Sequence, residues 1–439
     1  MTTKNYPPGP EKGIPLSEAR EVQQDTLGYI MKAAAKYGDI VRYPIGFWNV
    51  YFMNHPDYIQ HVMLDNWQNY GRNTFQYNNF RYVTGDGLLT TDGDYWLRHR
   101  RMAQPSFHRQ RLMGLVDKMV AVVQRMIGRW ENIAAANESI DIDEEMMRVA
   151  LEIVGQALFS IDLTDDAHDL AHDMLELLDY VVFRAKVLIA PPPIIPTPRN
   201  IRFRRNLKQF DDLIYGLIQQ RRAAPTEDDD LLNMLLHSTY TDGSQMTDEE
   251  VRDECLTMLI AGYETVAAGL TWSFYLLSQH HEVRHKLEAE ADVLGRVPQF
   301  EDMPRLPYAE QIFNEALRLY PPNWIISRQT LAEDEIGGYY IPAKALVVIS
   351  SYAVHHNPAV WLDPYTFDPE RFTPDKVKER SKFAHIPFGG GPHLCIGKDF
   401  ALVEAKLVLT AVAQRFRLEV AEGVIVEPLP QVTIRPKYG

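Results

Sequence analysis

Cys395 stands in the run Phe388-Gly389-Gly390-Gly391-Pro392-His393-Leu394-Cys395-Ile396-Gly397, a glycine-rich stretch that no helix or strand can contain. Immediately after it, Lys398 to Phe416 lacks Pro and Gly and is apolar at Phe400, Ala401, Val403, Leu407, Val408, Leu409, Ala411 and Val412, a spacing that wraps most of a helix. A thiol at the head of such a helix meets the positive end of its dipole and backbone N–H groups freed by the glycines. Both favour the thiolate and suit it to ligate a metal; taken alone, a free cysteine is more often a small buried hydrophobe. A second constellation is Trp96 and Arg100, at i and i+4 on a helix opened by Asp94. There an indole N–H and a guanidinium can reach one anionic group together, while a solvated basic helix is the plainer alternative. The third is Glu264 and Thr265, after Ala261-Gly262-Tyr263 and midway along a long helical run. A carboxyl and a hydroxyl there can do general acid work, or simply bond their own helix. Glycine in a helix centre costs about 1 kcal/mol relative to alanine, so Gly262 points to a close approach or a local bulge.

The elements that must position these groups follow from periodicity. Thr26 to Tyr37 is predicted as an amphipathic helix, Ile40 to Tyr43 and Asn49 to Met53 as a strand pair around Gly46, and Pro56 to Leu64 as the start of a helix. Asn73 to Leu89 is predicted as a loop. Helical periodicity runs from Val116 to Phe159, with Met119, Val122, Val123 and Met126 as core, and again over Leu170 to Leu188 and Asn200 to Arg222. Ala190 to Pro198 is proline-rich and cannot be helix interior, and Thr226 to Asp230 is a charge run read as a solvated turn whose last residues cap a helix. Thr247-Asp248-Glu249-Glu250 has capping-box spacing and starts a helix running towards His280. Glu315 and Arg318 share a helix face at i and i+3, ended by proline. Asn323 to Arg328 is predicted to be extended, and Gly337 to Pro342 with Leu346 to Ser351 to form a β-hairpin.

Composition sets the bounds. Of 439 residues, 46% are hydrophobic and 24% charged, an ordinary globular balance. The formal charge of −14 argues against nucleic acid as a partner. In a chain this acidic, Arg98, Arg101, His108, Arg109 and Arg111 form a local basic patch suited to an acidic electron-transfer protein. Cys255 and Cys395 are the only cysteines, which excludes a disulfide framework and a cysteine-rich zinc site and fits a reducing, cytoplasmic setting. Met1 to Leu16 carries no signal-peptide pattern, and no run of about eighteen apolar residues predicts a transmembrane anchor.

The order Phe-x-x-Gly-x-His-x-Cys-x-Gly, at Phe388, Gly391, His393, Cys395 and Gly397, resembles the haem-ligand loop of the cytochrome P450 family. Ala261-Gly262-Tyr263-Glu264-Thr265, Trp96-x-x-x-Arg100, Glu315-x-x-Arg318 and Pro369-Glu370-Arg371-Phe372 resemble that family's other elements, in its order and across nearly the whole chain. The resemblance implies a mainly α fold with a small β-rich region, one haem domain over residues 1–439, and no fused reductase. It implies haem b with the Cys395 thiolate as axial iron ligand, a ligation that favours O–O cleavage. Phe388 would lie over the sulfur side, the glycines of the loop, Gly397 among them, would let backbone N–H groups approach the sulfur, and the small residues at Ala261 and Gly262 would leave room for the flat macrocycle. Trp96, Arg100 and Arg328 would hold the propionates, as would His393, where many members carry arginine. Glu264 and Thr265 would deliver protons and hydrogen-bond dioxygen, and their retention favours an O2-using monooxygenase over a non-catalytic haem-based binder of gas or ligand. Glu315, Arg318 and Arg371 would form a buried structural charge cluster.

The same resemblance places a substrate wall at Phe75, Tyr77, Phe80 and Val83, at Trp324, Ile325 and Ile326, and at Leu429 in Pro428 to Thr433. The stretches Gly87 to Thr91, Ala261 to Ala267 and Glu315 to Trp324 are similar to thermophile-type bacterial carotenoid hydroxylases, and beyond them to fatty-acid hydroxylases. A lipophilic substrate is therefore expected, carotenoid or other terpenoid first and fatty acid second. An acidic ferredoxin or flavodoxin would supply electrons, and Ile194 and Ile195 could touch a membrane surface transiently.

Overall fold

A computed structural model describes residues 4–10, 21, 22, 24–45, 48–187, 190–224 and 230–439. Gly46, Leu188, residues 226–229 of the charge run and much of the proline-rich N-terminus lie outside them. In chain order the elements begin with α1 (Thr26–Tyr37), β1 (Ile40–Ile45), β2 (Trp48–Met53), α2 (Pro56–Gln60) and β3 (Tyr70–Gly71). A helical series follows: α3 (Phe75–Thr84), α4 (Gly93–Ala103), α5 (Arg109–Ala135), α6 (Ile142–Phe159), α7 (Ala167–Lys186), α8 (Pro198–Ala223), α9 (Leu231–His237), α10 (Asp248–Gln279), α11 (His281–Asp292) and α12 (Pro307–Leu319). Then come β4 (Ile326–Thr330), β5 (Asp334–Ile336), β6 (Tyr339–Ile341), β7 (Leu346–Ile349), α13 (Ser351–His355), α14 (Pro374–Glu379), α15 (Lys398–Ala413), β8 (Pro428–Pro430) and β9 (Ile434–Pro436). The chain forms two compact units, one of Met1–Gln76 with Asn314–Cys395 and one of Tyr77–Phe313 with Ile396–Gly439.

The first unit is built on a five-stranded sheet of order β1-β2-β7-β4-β3. β1 and β2 pair antiparallel with Val41 opposite Phe52, β2 and β7 run parallel with Val50 opposite Leu346, and β4 and β7 pair antiparallel with Ile326 opposite Ile349. The period of two sorts the side chains by face. Val41, Tyr43 and Phe52 pack with Ala33 of α1, whereas Tyr51, Met53, Val347 and Ile349 pack with Ile59, Val62 and Ile386. The predicted hairpin is corrected here. Gly337 and Gly338, both at positive φ, turn β5 back onto β6, and Leu346–Ile349 instead enters the large sheet between β2 and β4. Strand propensity marked the segments but not their partners, because register is chosen by burial across the sheet.

The second unit is helical around α10, whose Thr247 closes a capping box with Glu250. From Val251 to Ser278 every residue of α10 is buried except Ala261, Gly262, Thr265 and Tyr275. Pro198 occupies the first turn of α8, where its missing N–H costs nothing. Asp230 caps α9 through the Asn233 N–H and pairs with Arg221 at 2.9 Å. The periodicity over Val116 to Phe159 divides into α5 and α6, and Asn73 to Leu89, predicted as a loop, contains α3. Its aromatic, low-propensity sequence is helical because Tyr77, Phe80 and Val83 are buried, the tertiary override that propensity cannot foresee.

At the end of α12, in the first unit, Glu315 and Arg318 have no exposed side-chain surface and meet in two bonds of 2.7 and 2.8 Å. The guanidinium also donates to the carbonyls of His355, Pro364 and Thr366, the carboxylate accepts from the Asp368 N–H, and Arg371 lies 3.5 Å away. The pair thus ties a helix to the loops that lead towards Cys395. Arg318→Ala is expected to cost about 3–5 kcal/mol in urea unfolding, because it strands a buried carboxylate. Glu315→Leu combined with Arg318→Met is expected to recover part of that loss; equal losses in the single and double variants would show that the buried charge is not the cause.

Candidate functional site

In the first unit the loop that presents Cys395 is fixed by its own backbone. The Ile386 N–H donates to His355 Nε2 at 2.9 Å, Gly389 N–H to the Ile386 carbonyl at 3.0 Å, Leu394 N–H to that of Gly391 at 3.1 Å, and Cys395 N–H to that of Phe388 at 2.9 Å. His355 therefore accepts, consistent with burial holding its pKa well below the ordinary value. Gly391 sits at φ +64°, and a Cβ there would lie 1.8 Å from the Met63 carbonyl oxygen. No other residue fits that position. The loop leaves Cys395 exposed, with Phe388 half-buried and His393 edge-on to Trp67 at 5.7 Å. Arg328 is buried on β4 and donates to the Ser327 carbonyl at 2.8 Å. Trp324 is buried, with its carbonyl accepting from Ser350 Oγ at 3.1 Å, and Ile325 is half-buried. Ile326 belongs to the sheet core, and Phe75 is 55% exposed.

In the second unit, Trp96 is buried and Arg100 half-buried on α4, capped by Asp92. Arg98, Arg101, His108 and Arg109 are exposed, so the basic patch is a real surface feature. Phe80 and Val83 are buried, Val83 with no exposed surface, while Leu429 and Gly397 are half-buried. Thr265 Oγ1 donates to the Ala261 carbonyl at 2.7 Å, which leaves its lone pairs on the bared side of α10. Gly262 marks the close approach that a glycine in a helix centre suggests, and not a bulge. A Cβ there would meet Val154 Cγ2 at 2.9 Å, so the glycine lets α6 pack against α10, which runs through this point as regular helix.

Glu264 is buried and accepts from Thr433 Oγ1 at 2.8 Å. Burial pushes its pKa up to about 7, opposed by the Arg435 guanidinium and the Thr433 hydroxyl and reinforced by Asp143 and Asp179. Arg435 itself is paired with Asp143, which also accepts from Thr271 at 3.3 Å. Thr433, Arg435 and Asp143 were not recognised from the sequence. Only the turn around Leu429 marked that region, and no local spacing connects β9 to α6 and α10.

The residues fit a haem. Each unit, taken by itself, carries suitable groups: the first an exposed thiol in a glycine turn and the buried guanidinium of Arg328, the second the N–H donors of Trp96 and Arg100 and a helix, α10, that bares only small or hydroxyl side chains in its middle. Among the described residues no three His, Cys, Asp or Glu are grouped to hold an ion.

Comparison with known proteins agrees. The family model for cytochrome P450 matches residues 7–438. Cyclooctatin synthase of Streptomyces melanosporofaciens is 33% identical over 431 residues, covering 96% of this chain and 92% of that protein. Cyclooctat-9-en-7-ol 5-monooxygenase of the same organism is 34% identical over 88% of this chain and 84% of its own. Pentalenene oxygenase of Streptomyces avermitilis is 32% identical over 92% and 90%. The crystal structure of the cytochrome P450DA haem domain matches with a TM-score of 0.90 at 25% identity, over 99% of this chain and 96% of that one. Among the described residues no helix is long and apolar enough to cross a membrane.

The Glu264 geometry carries a pH signature. Its folded pKa lies above the usual 4.5, so its contribution to stability is complete below about 4.5 and is lost as pH rises through about 7. Relative to Glu264→Gln, the wild type is expected to lose about 3 kcal/mol of unfolding free energy across that window. A pH-independent difference between the two proteins would contradict the burial of an acid at this position.

Proposed function

The chain belongs to the cytochrome P450 family, and from that membership we propose that it is a monooxygenase of terpenoid substrates. As a family member it is an oxidoreductase that uses O2, a lipophilic substrate and external electrons. The names of the relatives carry the choice of substrate: a cyclooctat-9-en-7-ol monooxygenase and a pentalenene oxygenase align over nearly the whole chain. Terpenoids therefore stand ahead of fatty acids.

Haem, when bound, supplies the activation of dioxygen, and the chain supplies ligation, protons and substrate pose. Cys395 is assigned as the iron ligand, Trp96, Arg100, Arg328 and His393 as propionate partners, and Phe388, Ala261 and Gly397 as close neighbours of the ring. Thr433 fixes one oxygen of Glu264, which leaves Oε2 as the atom that carries and releases a proton. A carboxyl with a pKa of about 7 suits that task at neutral pH. Thr265, its own proton engaged by Ala261, holds a water or proton-bearing partner at the bared face of α10. This acid and alcohol support turnover rather than reversible ligand binding. Phe80, Trp324, Ile325 and Leu429 are assigned to substrate contact, and Arg98, Arg101 and Arg109 to docking of an acidic ferredoxin or flavodoxin.

Spectral titration of the haem-loaded protein with cyclic terpenes and terpene alcohols, carotenoids and fatty acids tests the substrate assignment. A low-to-high-spin shift at micromolar terpenoid, followed by a hydroxylated or epoxidised product when electrons are supplied, is the expected result. A shift and product with fatty acids alone would overturn it.

A further inference from the structure

His99 and Glu254 are both without exposed side-chain surface, and His99 Nδ1 lies 2.8 Å from Glu254 Oε1. The other carboxylate oxygen accepts the Leu88 N–H at 3.2 Å. His99 Nε2 lies 3.1 Å from the Tyr240 hydroxyl and 3.6 Å from Glu250, and its ring stacks on Tyr95 at 4.1 Å. The Tyr240 ring in turn carries the Arg98 guanidinium 4.1 Å from its centroid. Each polar atom of the pair is accounted for, and none of these groups belongs to the proton-handling set around Glu264.

Stability does not explain such a pair. Two buried ionisable groups are commonly no better for folding than well-packed apolar residues of the same volume. What the pair does provide is position, because its bonds hold only at one spacing and angle. On α4, Trp96 shares one face with both His99, at i+3, and Arg100, at i+4. On α10, Glu254, Ala261 and Thr265 are at i, i+7 and i+11, one stripe of the helix, about 10 and 16 Å apart along its axis. The contact between His99 and Glu254 therefore joins the face of α4 that carries Trp96 and Arg100 to the stripe of α10 that is bared at Ala261 and Thr265.

We propose that His99 and Glu254 are positioning residues that hold Trp96 and Arg100 in register with the bared stripe of α10, and so set the grip on the haem propionates. The proposal rests on the haem reading above. Leu88 fixes the carboxylate from one side and Tyr240 the imidazole from the other, so neither partner can rotate without giving up a buried bond.

The test uses haem-loaded wild type, Glu254→Gln, His99→Gln and the double variant, whose two amides can bond each other. Both single variants should keep the red-shifted reduced carbon monoxide band, showing the thiolate ligand intact. They should shift the propionate-bending bands in resonance Raman in the direction seen for Arg100→Lys, and lose haem to apomyoglobin about tenfold faster. The double variant should return both readings towards wild type. Folded single variants with wild-type propionate bands and haem-loss rates would overturn the proposal, as would a double variant that adds the two defects. A wild type without the red-shifted band would instead refute the haem reading.

Discussion

The backbone of Gly391 passes the carbonyl of Met63 so closely that any side chain there would collide with its oxygen. That contact, with the turn closed by the Cys395 N–H on the Phe388 carbonyl, determines where the thiol stands. A loop with this much glycine would be expensive to order from entropy alone. It is held because Ile386 is in the sheet core and its N–H is taken by buried His355, whose carbonyl is in turn bound by Arg318. The ion pair of Glu315 and Arg318 therefore reaches Ile386, at the start of the loop that carries Cys395, through two bonds and has no need to touch the cysteine.

The helical unit solves a complementary problem. A helix buried on every side can present chemistry only where its neighbours leave a gap, and α10 leaves one at Ala261, Gly262 and Thr265. The neighbouring Glu264 faces the other way, into protein, where burial raises its pKa to about 7 and Thr433 orients one oxygen. Acid and alcohol are adjacent in sequence yet differ in environment, which is how one stays protonated near neutrality while the other remains accessible.

Much of this was legible in the residues. The glycine loop, the capping box at Thr247, the pair of Glu315 and Arg318 and the shared face of Trp96 and Arg100 are local patterns, and each stands where its spacing puts it. The failures lie where partners are distant in sequence. Leu346–Ile349 read as one arm of a hairpin because local pattern cannot choose between β6 and the larger sheet. α3 read as a loop because its helicity comes from burial of Tyr77, Phe80 and Val83. Gly262 announced a close approach, but not that Val154 of α6 is the neighbour that makes it. Thr433 and Arg435, which govern the proton on Glu264, follow it by far too many residues for any periodicity to reveal.

The proposed function depends on Cys395 acting as a thiolate ligand to haem iron. The carbon monoxide difference spectrum of the reduced, haem-loaded protein measures this directly, since thiolate ligation moves the Soret band strongly to the red. That band is expected in the wild type and should be absent in Cys395→Ser. A wild type without it, or its survival in Cys395→Ser, would contradict the account.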